Sequence, residues 1–231
     1  MDWLPEVSAA ILAAILAITL HEAAHGYAAL AEGDPTAKEN GRLSLNPLRH
    51  VDPVGTLMLP GFLVVSQLLA IGRVETLFGW AKPVPVDPFR MRDPRWGMVR
   101  VAAAGPAANF VLAFLAALLA HPLQWVAPAI PLDVADWLMR FLVLFIFANL
   151  LLGLFNLLPI PPLDGGRILV GVLPAALALP LARMERFGLL IVLLALVVLP
   201  QLPGGWDPVG WALRNVVAAA FRAVLMLAGH A

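Results

Sequence analysis

The chain has 231 residues, 61% of them hydrophobic and 13% charged, with zero net charge and no cysteine. A soluble domain is about half apolar and about a quarter charged, so this composition belongs to a membrane protein with several spans. The zero net charge excludes a bulk field that would gather nucleic acid, and the missing cysteines exclude disulfides, thiolate catalysis and thiolate metal sites.

Val7–Ala31 is the first long apolar stretch, about 37 Å as a helix. Its flank carries Asp2 and Glu6 but no Lys or Arg, so it lacks the positive start of a signal peptide and reads as a retained span. Gly33, Asp34 and Pro35 end it. Thr36–Gly55 is polar and turn-rich, and Arg42-Leu43-Ser44-Leu45 alternates in strand fashion. Thr56–Gly72 is apolar but short and interrupted by Pro60-Gly61, which fits a short span or a re-entrant hairpin. Arg73–Arg100 is a basic loop, and its Lys82–Val86 segment, with two prolines, reads as an edge strand or extended chain. Met98–Ala120 and Trp137–Leu158 are the second and third long spans, separated by the Lys/Arg-free loop His121–Val134. Ile168–Ala182 and Phe187–Leu199 are two shorter apolar helices. Trp206–Ala228, with Arg214 and Arg222, is an interfacial or additional helix. Trp80, Trp96, Trp125, Trp137, Trp206 and Trp211 lie near span ends and fit interface anchoring.

The expected architecture is an all-α polytopic membrane protein, with about five to six membrane helices around a buried metal site. Short strand or re-entrant segments lie between the first and second long spans. A single membrane-embedded domain is expected over residues 1–231, with its core at about 7–186. The excess of Lys and Arg in Arg73–Arg100 places that loop in the cytoplasm and His121–Val134 outside, so the first helix and Trp137–Leu158 both end inside.

The first helix contains His21-Glu22-Ala23-Ala24-His25. Residues four apart share a helix face, so His21 and His25 can bind one metal ion, with Glu22 beside them as a base for a water. Zinc at such a site lowers the pKa of its water to roughly 7 and polarises a carbonyl. The alternative is a chance motif in a hydrogen-bonded polar cluster, but such groups are costly inside a membrane unless a partner satisfies them. A catalytic zinc takes three protein ligands and keeps one open position. Asp164 follows a span that ends inside, as the histidine helix does, and so reaches their depth. Its other reading is an N-cap for a helix starting near Gly165. His50, beside Val51 and Asp52, reads as a loop cap, a lid contact or a second polar site. A membrane metal-ion transporter is an alternative function, but it calls for polar groups leading to the other face, and the outer halves of the spans carry few. A non-catalytic membrane scaffold is a further alternative, unsupported while ligands and base are all present.

The His21–His25 motif, together with the N-x-x-P-x-x-x-x-D-G pattern of Asn156–Gly165, resembles the site-2 protease family of intramembrane zinc metalloproteases. Gly105-Pro106-Ala107-Ala108-Asn109 is similar to that family's G-P-x-x-N signature. The resemblance runs from about Ile11 to Arg186. Gly41–Asn46, His50–Gly55 and Lys82–Val86 look like its short bacterial and archaeal branch, which lacks PDZ and CBS domains. The resemblance implies one zinc ion per chain on His21, His25 and Asp164, with Glu22 catalytic. It places Asn156 near the scissile carbonyl, to stabilise an oxyanion or to steady the broken helix. Asn109 is expected to bond across helices in a small-residue stretch. The implied substrate is a transmembrane protein cut in or near its span. The implied setting is the lipid bilayer of a prokaryotic inner membrane, with the site toward the cytoplasm.

Overall fold

A computed structural model describes residues 4–72, 81–194, 199 and 207–230. Arg73, Trp80, Trp206 and residues 195–198 of the expected Phe187–Leu199 helix lie outside the described residues.

Helix α1 spans Leu4–Glu32 and ends at Gly33, as its Gly-Asp-Pro signal predicts. A single-turn helix α2 (Thr36–Glu39) follows. A π-helical stretch, Pro53–Met58, is capped by the Asp52 carboxylate and leads into α3 (Leu59–Ile71). Helix α4 (Pro94–Val126) starts with Pro94 at its first position and the Asp93 carboxylate accepting the Arg95 and Trp96 N–H groups at 3.0 and 3.1 Å. After α5 (Leu132–Asn156) come three short helices, α6 (Asp164–Val172), α7 (Ala175–Arg183) and α8 (Glu185–Leu193). The chain closes with α9 (Pro208–Ala212), a π-helical turn over Leu213–Val217 and α10 (Ala218–Leu227), which run as one helix.

Among the described residues four helical stretches are long and apolar enough to cross a membrane: α1, α4 with the turn to Ala129, α5, and Gly210–Leu227. The chain is an integral membrane protein of all-α type. Over the described residues the remaining apolar helices, α3 and α6 to α8, are shorter than a bilayer crossing.

Two expectations are corrected. No strand forms among the described residues, at Arg42–Leu45 or at Lys82–Val86. Pro83 and Pro85 have no N–H to give a ladder. The two segments are joined instead by the Arg42 guanidinium on the Lys82 carbonyl, at 2.7 Å, and one backbone bond ties the Lys82 N–H to the His50 carbonyl, at 2.8 Å. The expected Ile168–Ala182 helix is split. Leu173 is extended, with ψ of 148°, because the residue before Pro174 avoids the helical region.

The core is the packing of α1, α4 and α5. Ala9, Ala13 and Ala17 form a buried stripe at every fourth residue of α1, and the next two positions of that stripe are His21 and His25. Helix α4 meets it with Val101, Ala102, Gly105, Pro106, Asn109 and Ala113. Small residues on both sides let the backbones approach closely, which is how helices associate in lipid without a hydrophobic drive. Helix α6 is fastened to the start of α4 by Arg95, whose guanidinium donates to the carbonyls of Gly171 and Leu173 at 2.6 and 2.8 Å.

One end of the bundle carries a polar cap built on Asp34. Its carboxylate is fully buried and accepts the Thr36 N–H at 2.9 Å and the Asp87 N–H at 2.7 Å. Burial works against its charge, but the Thr36 hydroxyl, the Asp87 and Thr36 amides and the nearby Arg90 outweigh burial and hold the carboxyl below its ordinary pKa. Ion pairs of Arg90 with Glu39 and of Arg100 with Glu32 surround it.

Candidate metal centre

The helix register brings three of the expected residues to one point. His21 Nε2 and His25 Nε2 are 3.0 Å apart, and Asp164 Oδ2 lies 3.2 Å from the first and 3.3 Å from the second. His21 and Asp164 are 4% and 6% exposed, so bulk water does not solvate the cluster. Among the described residues this is the one group of three His, Asp or Glu side chains whose donor atoms converge, all within 4.8 Å.

Hydrogen bonds starting from backbone carbonyls fix which nitrogen of each ring is bare. The Phe145 carbonyl can only accept, and it takes the Asn149 amide N–H at 2.8 Å. Asn149 Oδ1 therefore faces Asn109, whose amide N–H donates to it at 2.7 Å. Asn109 Oδ1 in turn faces His21 Nδ1 at 2.6 Å, so Nδ1 carries the proton and Nε2 its lone pair. His25 Nδ1 donates to the Val101 carbonyl at 2.7 Å, with the same result. Two imidazole lone pairs and a carboxylate oxygen thus meet with no proton between them. Asp164 Oδ2 lies within ion-pair distance of both rings, yet it is buried without a hydrogen-bond donor. Such an arrangement repels itself unless a cation sits among the three atoms. Two nitrogens and one carboxylate oxygen form the donor set of a catalytic zinc site, so the residues fit that ion.

The local sequence explains each placement. Gly105 lets α4 cross against the histidines, because a Cβ there would stand 2.5 Å from His25 Cε1 and Nε2 and 2.6 Å from His21 Cε1. Asp164 opens α6, but its side chain makes no capping bond; Leu163 is the N-cap residue. Gly165 lets the first turn of α6 press on the end of α5, since a Cβ there would overlap the Leu157 carbonyl. This turns Asp164 toward α1.

Glu22 points to the polar cap, where its Oε2 accepts the Val84 N–H at 2.9 Å. Asn156 closes α5, and its amide donates to the Leu152 carbonyl at 3.0 Å rather than to the cluster. His50 is buried in the cap, its Nε2 donating to the Ser44 carbonyl at 2.8 Å. Asn109 bonds across helices as expected. Asn149, the Val101 carbonyl and the Val84 amide were not anticipated. Asn149 was detectable as a lone amide within an apolar span, which needs a partner at that depth.

Replacing Asn109 by Leu should leave the bundle assembled but free the His21 ring to rotate. Zinc affinity is expected to fall about 10- to 100-fold, as when an outer-shell partner of a ligand is lost. A chelator competition titration would measure this, and unchanged affinity would contradict the orienting role.

The family model described as "Peptidase family M50" matches residues 119–199. The protein named "Putative zinc metalloprotease YwhC" of Bacillus subtilis is 35% identical over 222 residues, covering 93% of each chain. "Putative zinc metalloprotease Rip2" of Mycolicibacterium smegmatis is 30% identical over 194 residues, 79% of this chain and 64% of that protein. "Putative zinc metalloprotease Rip3" of Mycobacterium tuberculosis is 50% identical over 70 residues, 30% of this chain and 16% of that protein. No solved structure matches the chain.

Proposed function

Because the chain belongs to the site-2 protease family, peptidase family M50, and is a zinc metalloendopeptidase, we propose that it hydrolyses peptide bonds in or beside transmembrane segments of other membrane proteins, with zinc held by His21, His25 and Asp164. The observation that carries this reading is the convergence of three proton-free acceptors between helices of membrane-spanning length.

When bound, zinc supplies a Lewis acid that acidifies water and polarises a carbonyl. The chain's own groups do the rest. Asn109 and the Val101 carbonyl hold the imidazoles in the metal-binding tautomer. Glu22 takes a proton from the attacking water as its oxygen bonds to the peptide carbonyl carbon. As the C–N bond breaks, Glu22 returns that proton to the leaving amine. The Val84 N–H steadies the Glu22 carboxylate for this work. Asn156 serves as an oxyanion donor once substrate draws its amide from the Leu152 carbonyl. The Lys and Arg residues of the polar cap support an orientation of the site toward the cytoplasm of a prokaryotic inner membrane.

A helical substrate must unwind before its carbonyls are open to attack. The extended Lys82–Val86 segment lies in hydrogen-bond contact with Glu22, and Arg42–Leu45 is joined to it. A locally extended substrate docks along these segments. Reconstitution with a single-span model substrate tests the reading. Cleavage within or at the edge of the span, mapped by mass spectrometry and lost on chelation, is expected. Cleavage confined to detached soluble peptides would contradict it. Exchange of both segments for Gly-Ser sequence should lower membrane-substrate cleavage and leave zinc content intact; unchanged cleavage would sink the docking proposal.

A further inference from the structure

The prolines of Lys82–Val86 make a stiff segment, and the fold fixes it at both ends. Pro83 and Pro85 lock their own φ angles, and Lys82 and Val84, each before a proline, are held to extended backbone. Asp87 continues that course, with φ of −112° and ψ of 102°. A displacement at either end is therefore carried along the segment rather than absorbed by bending.

At one end the Arg42 guanidinium donates to two successive carbonyls, those of Lys82 at 2.7 Å and Pro83 at 3.4 Å, and the Lys82 N–H donates to the His50 carbonyl at 2.8 Å. At the other end stands Asp34. Gly33, with φ of 106°, closes α1, and the Asp34 N–H folds back onto the Ala29 carbonyl at 2.9 Å. The Asp34 side chain is fully buried and divides its two oxygens. Oδ1 accepts the Thr36 N–H and hydroxyl, and Oδ2 accepts the Asp87 N–H at 2.7 Å.

Between the two ends the segment meets the metal helix. Glu22 and Gly26 lie one turn apart on one face of α1, and Val84 sits over that face. Its amide donates to Glu22 Oε2 at 2.9 Å. Its buried side chain rests against Gly26, where a Cβ would stand 3.2 Å from Val84 Cγ1. Glu22 Oε1 takes no hydrogen bond among the described residues. Three residues of extended chain, about 10 Å, join Val84 to Asp87.

We propose that Asp34 and Arg42 are positioning residues for Glu22: they clamp the two ends of a proline-stiffened segment, so that the Val84 N–H engages one oxygen of the Glu22 carboxylate and leaves the other for proton transfer. This rests on the reading of Glu22 as the base. Asp34 acts through Asp87 and Val84, without touching the metal ligands.

The test uses the purified full-length chain loaded with zinc and reconstituted with the single-span model substrate. Asparagine at position 34 offers one oxygen where the carboxylate offers two. The Thr36 N–H, two residues away, retains that oxygen, and the Asp87 N–H then faces an amide NH2. Asp34→Asn and Arg42→Gln are each expected to lower kcat by about tenfold or more, toward the hundredfold cost of a 1 Å misplacement, with KM and zinc affinity kept. Val84 is the one amide between two prolines, so hydrogen exchange of its peptide reports the clamp without any turnover. That exchange should quicken about tenfold in both variants, the worth of one amide hydrogen bond, while exchange of α1 matches the parent. Glu39→Gln breaks an exposed ion pair of the same cap and leaves both clamps in place, so its kcat should equal the parent's. If Asp34→Asn fails to assemble, Arg42→Gln decides alone. Unchanged kcat or unchanged Val84 exchange in an assembled variant, a loss confined to KM, a loss of zinc that accounts for the lost turnover, or an equal loss in Glu39→Gln overturns the proposal. A parent chain that cleaves nothing removes the reading of Glu22 as the base and the proposal with it; a parent that cleaves while the variants match it removes the clamp alone.

Discussion

Exchanging Gly105 for alanine is expected to empty the metal centre while the helical bundle stays assembled. The new Cβ would stand 2.5 Å from two atoms of the His25 ring and 2.6 Å from the His21 ring, inside van der Waals contact. A clash with the tip of a flexible side chain would be relieved cheaply, but these rings are not free to swing. His21 is tied through Nδ1 to Asn109, and His25 through Nδ1 to the Val101 carbonyl. Relief requires breaking one of those bonds or moving α4 away from α1, and either spreads the ligand atoms. Zinc affinity should fall by roughly a hundredfold or more, beyond the loss of one orienting partner. Proteolysis should fall with it. Gly61→Ala is the matched control, because a Cβ at Gly61 meets nothing within 4 Å. Full zinc retention in the Gly105 variant would mean that the histidines are not held where the structure has them.

Replacing Glu22 with Gln should separate binding from chemistry. Gln keeps the length of the side chain and an oxygen that can accept the Val84 N–H, so the contact at 2.9 Å survives. What is lost is a carboxylate able to take and return a proton. General acid–base catalysis contributes about 10²- to 10⁴-fold, and kcat on a membrane-embedded substrate should drop by that order. Zinc content should match the parent protein, since Glu22 is not among the converging ligands. A kcat within tenfold of the parent would remove Glu22 from the role of base.

Much of the site was legible because helical spacing translates directly into position. His21 and His25 continue the Ala9–Ala13–Ala17 stripe, so the spacing that buries α1 also aims the two imidazoles. Asp164 was less certain, because an acidic residue just before a helix reads equally well as a cap. Packing decided between the readings: Leu163 takes the cap position, and Gly165 turns the Asp164 carboxylate inward. Of the two readings of Lys82–Val86, edge strand or extended chain, the strand does not form, because alternating prolines remove the donors a ladder needs. The Ile168–Ala182 helix failed at Pro174, a break that apolar periodicity hides. The Val84 amide on Glu22 depends on a contact 62 residues apart in sequence, and the Asn149–Asn109–His21 relay on contacts 40 and 88 apart, which no local pattern encodes.

The central claim is that His21, His25 and Asp164 together hold one metal ion. Zinc content and affinity of the purified full-length protein, measured beside Asp164→Asn, test it most directly. Asparagine keeps the shape of Asp164 but removes the charge that balances a dication. The parent is expected to hold about one zinc per chain, on three protein ligands with one position left open. The Asp164→Asn variant is expected to lose the ion to a chelator that leaves the parent loaded. Parent protein purified without zinc that also fails to take it up, or an Asp164→Asn variant that binds zinc as tightly as the parent, would contradict the account.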